Sequence, residues 1–467
     1  MKYLNTLYLK KFRLLTFFLS TSAVLITGCE EYLEVDPPIS EIPYDSVFED
    51  EFLAHSAVEN LYTKLRDDIL FSGMYNGNGI TMGLYADELD YYAWPGNPLE
   101  NFYNHTVLPN NTLVKLIWDG SYNLIYMSNS ILEGTDQSTV LTEETQKQLK
   151  GEALFIRSVG HFYLMNLFGE VPYVTGTDYL ENQSLPRTDI ETMYQNIIDD
   201  LLMAKSLLPE NYYGMDRIRA NRYTVSAFLA RVYLYHEDWQ EAVNESSSLI
   251  NAETYYTLEQ DIDLVFDKNS TSTILQFKPG VEGLNSWEGM ILNFITQPYT
   301  VALNPDIYNS MDDADARKAN WIAPITIGDN TWYACTKYKQ NGFTGTTIEF
   351  SKVFRLAEQY LIRSEAYTQL GNLTSAKNDL NLIRTRAGLS PSNANTQTDL
   401  LNEILEERRF EFFAEQGHRW FDLKRLDKAN EILSPIKPNW QMTNYILPLP
   451  EIELLNNPNL LPQNPGY

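Results

Sequence analysis

Two stretches of this chain superimpose without a gap, and that repeat limits the fold more than any other feature of the sequence. Ala230, Tyr233, Ala242, Ser246 and Leu249 recur in register as Ser364, Tyr367, Ala376, Leu380 and Ile383, with twelve residues from the first position to the third in both copies. Small residues at those two positions let paired antiparallel helices approach closely, while the tyrosine and aliphatic positions fill the groove between them. A third copy is split. Gly160 and Tyr163 stand on its first helix and Ile197, Leu201, Ala204 and Pro209 on its second, with an insertion from Phe168 to Asp189 between them. A fourth pair is expected to begin near Leu401 and run past Trp420.

The pattern resembles the tetratricopeptide helix pair. The expected fold class is therefore mainly α: tetratricopeptide-like helix pairs at about 142–209, 222–251, 352–388 and 399–432 forming a right-handed scaffold, with long loop insertions and a few short β-hairpins. Thr142 offers an N-cap, with Glu143 and Glu144 in the first turn where the helix dipole favours negative charge. Behind it Leu149, Ala153, Ile156, Gly160, Tyr163, Leu164 and Leu167 recur at steps of three and four, and Gly169 and Pro172 end the helix. The units are not in tandem, because aromatic-, glycine- and asparagine-rich segments separate them, chiefly Phe71 to Leu116 and Glu253 to Phe350. Gln276 to Lys278, Trp332 to Tyr338 and Ile446 to Leu449 could supply short strands, but no large sheet is expected.

The N-terminus sets the compartment. Lys2, Lys10, Lys11 and Arg13 precede an uncharged apolar run from Leu14 to Ile26, which is shorter than the roughly 20 residues a spanning helix requires. Ile26-Thr27-Gly28-Cys29 resembles a bacterial lipobox, which implies acylation of the Cys29 thiol after removal of residues 1–28. Each buried acyl methylene contributes about 0.8 kcal/mol to membrane attachment. Glu30 and Glu31 resemble the acidic tag of lipoproteins displayed outside some Gram-negative outer membranes. Residues 29–45, acidic and carrying Pro37, Pro38 and Pro43, read as an extended tether, and 46–467 as a single domain.

Hydrophobic residues make up 44% of the chain and aromatic residues 13%, enough for a large packed core. The formal charge is −27, and loss of the four basic leader residues makes it more negative still, so nucleic acid is a poor partner. Cys335 is the only other cysteine, and acylation of Cys29 leaves it no partner for a disulfide. No Gly-x-Ser-x-Gly elbow, phosphate-cradling Gly-Lys-Ser/Thr loop or His-Glu-x-x-His helix occurs, and the five histidines are scattered. Among 62 acids, pairs such as Asp87 with Glu88 arise by chance and point only weakly to a glycosidase. Asp312, Asp313 and Asp315 lack the glycine and final glutamate of a calcium loop. No catalytic residue, metal or cofactor is expected.

Four ordered motifs resemble the SusD/RagB family of outer-membrane nutrient-binding lipoproteins. They are Gly151-Glu152-Ala153-Leu154-Phe155-Ile156-Arg157 with Leu167-Phe168-Gly169-Glu170-Val171-Pro172; Arg355-Leu356-Ala357-Glu358 with Arg363-Ser364-Glu365-Ala366; Glu406-Glu407-Arg408-Arg409-Phe410-Glu411-Phe412 with Gly417-His418-Arg419-Trp420-Phe421-Asp422-Leu423; and the proline-rich tail from Leu447 to Tyr467. The resemblance implies a lipid-anchored protein of the outer membrane facing the exterior, which captures a glycan or a peptide and sits as a lid on a SusC-like TonB-dependent transporter. It implies no catalysis. The motifs themselves read as scaffold, with Glu415 facing Arg419 and Arg408 reaching Glu411 on one helix, and Trp420 and Phe421 in the core.

Sugars offer flat C–H faces and many hydroxyls, so their sites combine exposed aromatics with amides and carboxylates. Asp87-Glu88-Leu89-Asp90-Tyr91-Tyr92-Ala93-Trp94-Pro95-Gly96-Asn97 best fits that composition, which nominates Trp94, Tyr91, Asp87 and Asn97. Trp287, in a glycine-bracketed loop and hard to place in a helix, comes second, and Trp332 beside Tyr333 third, with Trp321 read as buried. The competing readings are a surface glycoside hydrolase, a peptide-binding member of the family, and a scaffold with no small ligand.

Overall fold

The computed structural model describes residues 44–467. The export segment expected over 1–28, Cys29 and all but the last two residues of the tether lie outside the described residues. Phe48–Tyr467 forms one compact unit. Among the described residues no helix is long and apolar enough to cross a membrane.

Helix α1 (Glu51–Asp67) is capped by Asp50, and α2 (Asn78–Tyr85) leads through β1 (Leu89–Tyr91) to the short α3 (Pro98–Asn104). Two long helices follow, α4 (Thr112–Gln137) and α5 (Glu143–Phe168). Thr142 caps α5 as expected, its hydroxyl accepting the Thr145 N–H, and Gly169 ends it at φ 78°. The pairs then stack in order: α5 with α6 (Ile190–Leu207), α7 (Arg222–Tyr235) with α8 (Trp239–Ile250), α10 (Leu356–Gln369) with α11 (Leu373–Arg386), and α12 (Gln397–Phe412) with α13 (His418–Arg425), where α9 (Trp287–Leu292) lies in the insertion between the second and third pairs. Each second helix also packs on the first helix of the next pair, which makes the scaffold continuous.

The small positions work as the repeat predicts. Ser364 lies so close to α11 that its hydroxyl donates to the Ala376 carbonyl at 2.8 Å. Gly160 is a correction: it faces α4, where an added β-carbon would lie 3.0 Å from Ile125, and Gly151 makes the close approach beside α6, 2.6 Å from Leu208. Phe71, Phe155, Phe162, Tyr163, Phe228 and Phe354 meet mostly edge to face along the inner helices, the arrangement aromatic quadrupoles favour.

The long insertion carries most of the strand content. Strand β2 (Thr273–Phe277) pairs antiparallel with β6 (Ser351–Arg355). A separate four-stranded sheet runs β1, β3 (Val301–Leu303), β5 (Asn330–Cys335), β4 (Ile322–Ile327), with β4 and β5 forming a hairpin. Leu89, Val301, Leu303 and Tyr333 turn one face of it onto a core containing Phe266, Trp321 and Phe413. The strand expected through Tyr338 stops at Cys335, because Lys337 turns inward. Ile446–Leu449 is not a strand. Its Leu447 N–H donates to the Leu167 carbonyl at the end of α5, and the Gln463 and Asn464 amides clasp its other backbone groups.

The motif residues expected to pair at helical spacing, Glu415 with Arg419 and Arg408 with Glu411, instead join buried ion pairs to other segments. Glu411 accepts from Arg355 at 2.8 Å, Arg386 at 2.6 Å and Arg317 at 3.2 Å, and all four side chains are buried. Arg355 continues to Glu415, and Arg317 to Asp315 and Glu407. Arg408 reaches Asp422 rather than Glu411, Asp422 pairs in turn with Arg425, and Arg425 with Glu365. Glu415 and Arg419 do not pair either. The chain leaves its helical path after Phe412, with Ala414, Gln416 and Gly417 at φ 57°, 51° and 75°, so the two residues no longer share a face. Lys337 holds that turn, donating to the carbonyls of Glu411 and Phe413 and to the Glu415 carboxylate. Trp420 and Phe421 are buried, as expected.

Burial alone would raise the Glu411 carboxyl, but the guanidinium groups of Arg386, Arg355 and Arg317 together hold it well below the usual carboxylate range. A depressed carboxyl contributes stability in full above its unfolded value, about 4.3, and that contribution is lost as the pH falls. Glu411→Gln should therefore cost about 3–5 kcal/mol in urea unfolding at neutral pH, because it takes from Arg386 its carboxylate partner and from Arg355 and Arg317 one of theirs. Below about pH 4 the difference from wild type should shrink.

Candidate functional site

The segment after β1 leaves the sheet and displays aromatic side chains to solvent. Tyr92 N–H donates to the Thr300 carbonyl at 2.7 Å, which continues the β1–β3 ladder and sets the segment beside residues 293–300. Tyr91 anchors the turn, its hydroxyl donating to the Trp94 carbonyl at 2.6 Å while its ring packs against the sheet core and Tyr103. Gly96, at φ 86°, reverses the chain, and its N–H donates to Glu100. Trp94 is left 57% exposed. It stands 6.2 Å, ring centre to ring centre, from Tyr299, which is 76% exposed, with the planes tilted by 58°. Two large rings at that tilt form an open aromatic corner on backbone that is already hydrogen-bonded in place.

The other nominated residues divide by what already holds them. Asn97 caps α3, its carbonyl oxygen accepting the Leu99 N–H, and only its amide NH2 remains for another partner. Asp87 is a correction: it lies beneath the sheet, 8% exposed, and receives Arg419 through Nε at 2.8 Å and Nη2 at 2.9 Å with Arg409 at 3.7 Å. Burial would raise its carboxyl, and Arg419 with Arg409 hold it below the ordinary range. An acceptor so fully engaged joins α13 to the β1 segment rather than meeting a ligand.

Trp287 also departs from expectation, since it opens α9, whose N-cap is Ser286. The loop before it is scaffold. The Asn285 amide donates to Gly342 and Thr346 carbonyls and accepts the N–H groups of Ile348 and Glu349. Trp332 lies on β5 opposite Ile325 and, by strand alternation, on the face away from the core that Tyr333 joins through Tyr308. Among the described residues no ring contact joins Trp287 or Trp332 to Trp94. Trp321 is fully buried, as expected.

Tyr299 was not singled out by the sequence. Its signal was an aromatic after Pro298 immediately before β3, inside the aromatic-, glycine- and asparagine-rich segment from Glu253 to Phe350. Nearby carboxylates are already held: Asp90 accepts from Tyr103 and Asn304, and Glu100 from Gly96. The acids read as a doubtful calcium loop are occupied too, Asp315 by Arg317, Asp313 by Lys318 and Asp312 by the Ala314 N–H. Among the described residues no group of three metal-ligating side chains occurs.

A stack of helix pairs whose insertions present an exposed aromatic corner defines a helical-repeat scaffold with side chains displayed from its loops. This chain belongs to the SusD/RagB family: a family model described as starch-binding associating with outer membrane matches residues 31–234, and the SusD family model matches residues 294–467. SusD-like protein P2 of Formosa agariphila is 27% identical over 95% of this chain and 97% of its own. Among solved structures, a laminarin-binding SusD-like protein superimposes with a TM-score of 0.76 at 24% identity, covering 90% of this chain and 100% of that one. Surface glycan-binding protein A from Bacteroides thetaiotaomicron gives 0.75 at 20% identity, with 90% and 100% covered. At such identities the structural matches establish the fold.

Next to Asp87, the buried Glu88 carboxyl is pushed up to about 8, first by burial and then by Asp87 itself. A raised carboxyl contributes its stability fully below the unfolded value of about 4.3 and loses it as the pH rises through the folded value. Thermal melts between pH 5 and 9 should show wild type losing up to about 1.4 kcal/mol per pH unit from this group. Glu88→Gln should remove that slope.

Proposed function

We propose that this protein is a cell-surface lipoprotein that binds an oligosaccharide at the Trp94–Tyr299 corner and delivers it to a SusC-like TonB-dependent transporter. The observation that carries the reading is the exposed aromatic pair on pre-set backbone: two rings to stack on pyranose faces, with little left to order when ligand arrives. The Asn97 amide and the Tyr92 hydroxyl add polar groups at the rim, and Tyr91 acts by fixing the turn. Trp332, on the sheet face away from the core that holds Tyr91, is left out of this corner. Family membership and the laminarin- and glycan-binding names of the structural relatives support a glycan over a peptide.

The protein acts without catalysis in this reading, because the carboxylates nearest the corner are engaged in structural hydrogen bonds. Acyl chains on Cys29 hold it to the outer membrane on the exterior side. Ligand favours the closed lid over the transporter to the extent that it gains contacts there that the open state lacks.

Trp94→Ala should weaken binding of an oligosaccharide found on a combined glycan and peptide array by at least about tenfold, roughly 1.4 kcal/mol, with the melting temperature unchanged. An unaltered affinity would move the site elsewhere, and peptide hits alone would replace the glycan. Cys29→Ala should shift the protein from the membrane to the soluble fraction. Retention of surface lipid attachment in that variant would sink the anchor.

A further inference from the structure

The insertion between α5 and α6 builds a cleft that the aromatic corner does not use. Residues 168–189 cross α4 and are fixed at many points. The Asn129 amide donates to the Val174 and Gly176 carbonyls, Glu133 accepts from the Thr177 N–H and hydroxyl, and His161 stacks on Tyr173 with ring centres 3.9 Å apart. The C-terminal tail closes the far side. Arg187 donates to the carbonyls of Leu460 and Pro462 and to Asn464, and Asn457 and Asn459 donate to Leu185 and Ser184. Between α4, this insertion and the tail helix α14 (Glu451–Asn456) lies a cleft of about 680 Å³.

Its lining has a definite chemistry. Tyr126 from α4 and Tyr179 from the insertion are 51% and 73% exposed, and neither hydroxyl has a partner among the described residues. Neighbouring Tyr122 differs, since its hydroxyl is committed to the Pro172 carbonyl. Asn123 contributes an amide, Asn182 an amide oxygen whose NH2 is held by the Gly176 carbonyl, and Glu453 a carboxylate. The walls are aromatic and amide with acids at the edge, so they suit a neutral polyhydroxylated ligand and repel an anionic one. Leu113, which packs on the same core as Tyr91, lies about 20 Å along α4 from Tyr126, and neither Trp94 nor Tyr299 lines the cleft.

We infer that this cleft is a second saccharide site, which takes a neutral pyranose oligosaccharide through Tyr126 and Tyr179. The inference rests on the glycan reading of the protein. Two sites on one rigid body would hold a long polysaccharide more tightly than either alone, since the second contact becomes intramolecular.

The test is isothermal titration of the full chain in detergent with laminarihexaose, maltohexaose, cellohexaose and mannohexaose. Wild type should take up two equivalents of at least one hexaose. The Tyr126→Ala, Tyr179→Ala double variant should retain one, with an unchanged melting curve because both residues are exposed, and Trp94→Ala should retain the other. A single equivalent in wild type that Trp94→Ala abolishes and the double variant leaves intact overturns the second site and keeps the first. Intact titration of the double variant with weakened co-purification of the transporter also overturns it, and makes the cleft a docking surface. Failure of all four hexaoses to bind wild type overturns both sites as sites for neutral glycans.

Discussion

Glu411 is the point on which this structure turns. A single carboxylate, buried with no route to water, receives guanidinium groups from the strand that enters α10, from the end of α11 and from the insertion, and so ties three distant segments to α12. Burying these charges is costly, and only the mutual pairing and the additional hydrogen bonds that the guanidinium groups donate to Glu407, Glu415 and Asp315 make it tolerable. The geometry cannot slide, because a helix register shift would strand several charges at once. The lattice thus fixes the relation between the helix stack and the sheet-bearing insertion, and a separate buried pair, Arg419 with Asp87, ties α13 to the segment that carries Trp94.

This division of labour explains where binding surfaces can arise. The inner helices present small residues and aromatic edges to one another and leave no room for a ligand. The loops are free of that packing but are pinned at their ends by backbone and amide hydrogen bonds, so their exposed aromatics stand on rigid supports. Trp94 and Tyr299 on one insertion pair, and Tyr126 and Tyr179 around another, are large side chains exposed in an otherwise well-packed protein. In the proposed function these exposed aromatic groups are the recognition surfaces.

The scaffold was legible because it depends on periodicity. The twelve-residue register of the two repeats, the Thr142 cap and the Gly169 stop all correspond to observed helix pairs and boundaries. The ion pairs were misassigned because spacing along a helix says nothing about a chain reversal, and this one begins at Ala414 and Gln416, ahead of Gly417, which is its one sequence signal. Asp87 was read as a ligand contact for the same reason: its partner Arg419 lies 332 positions away. Half of the aromatic corner was visible in the sequence as Trp94, while Tyr299 became its partner only through the pairing of β1 with β3.

The sequence by itself determined the helix pairs, the family and the expectation of a lipid anchor, since each is written in local spacing or a contiguous motif. Tertiary structure alone decided which charges neutralise one another, which aromatics remain exposed and which loops face each other. Those outcomes depend on contacts between segments hundreds of residues apart, and burial rather than residue type selects which acid is a scaffold tie and which ring is left free to meet a ligand.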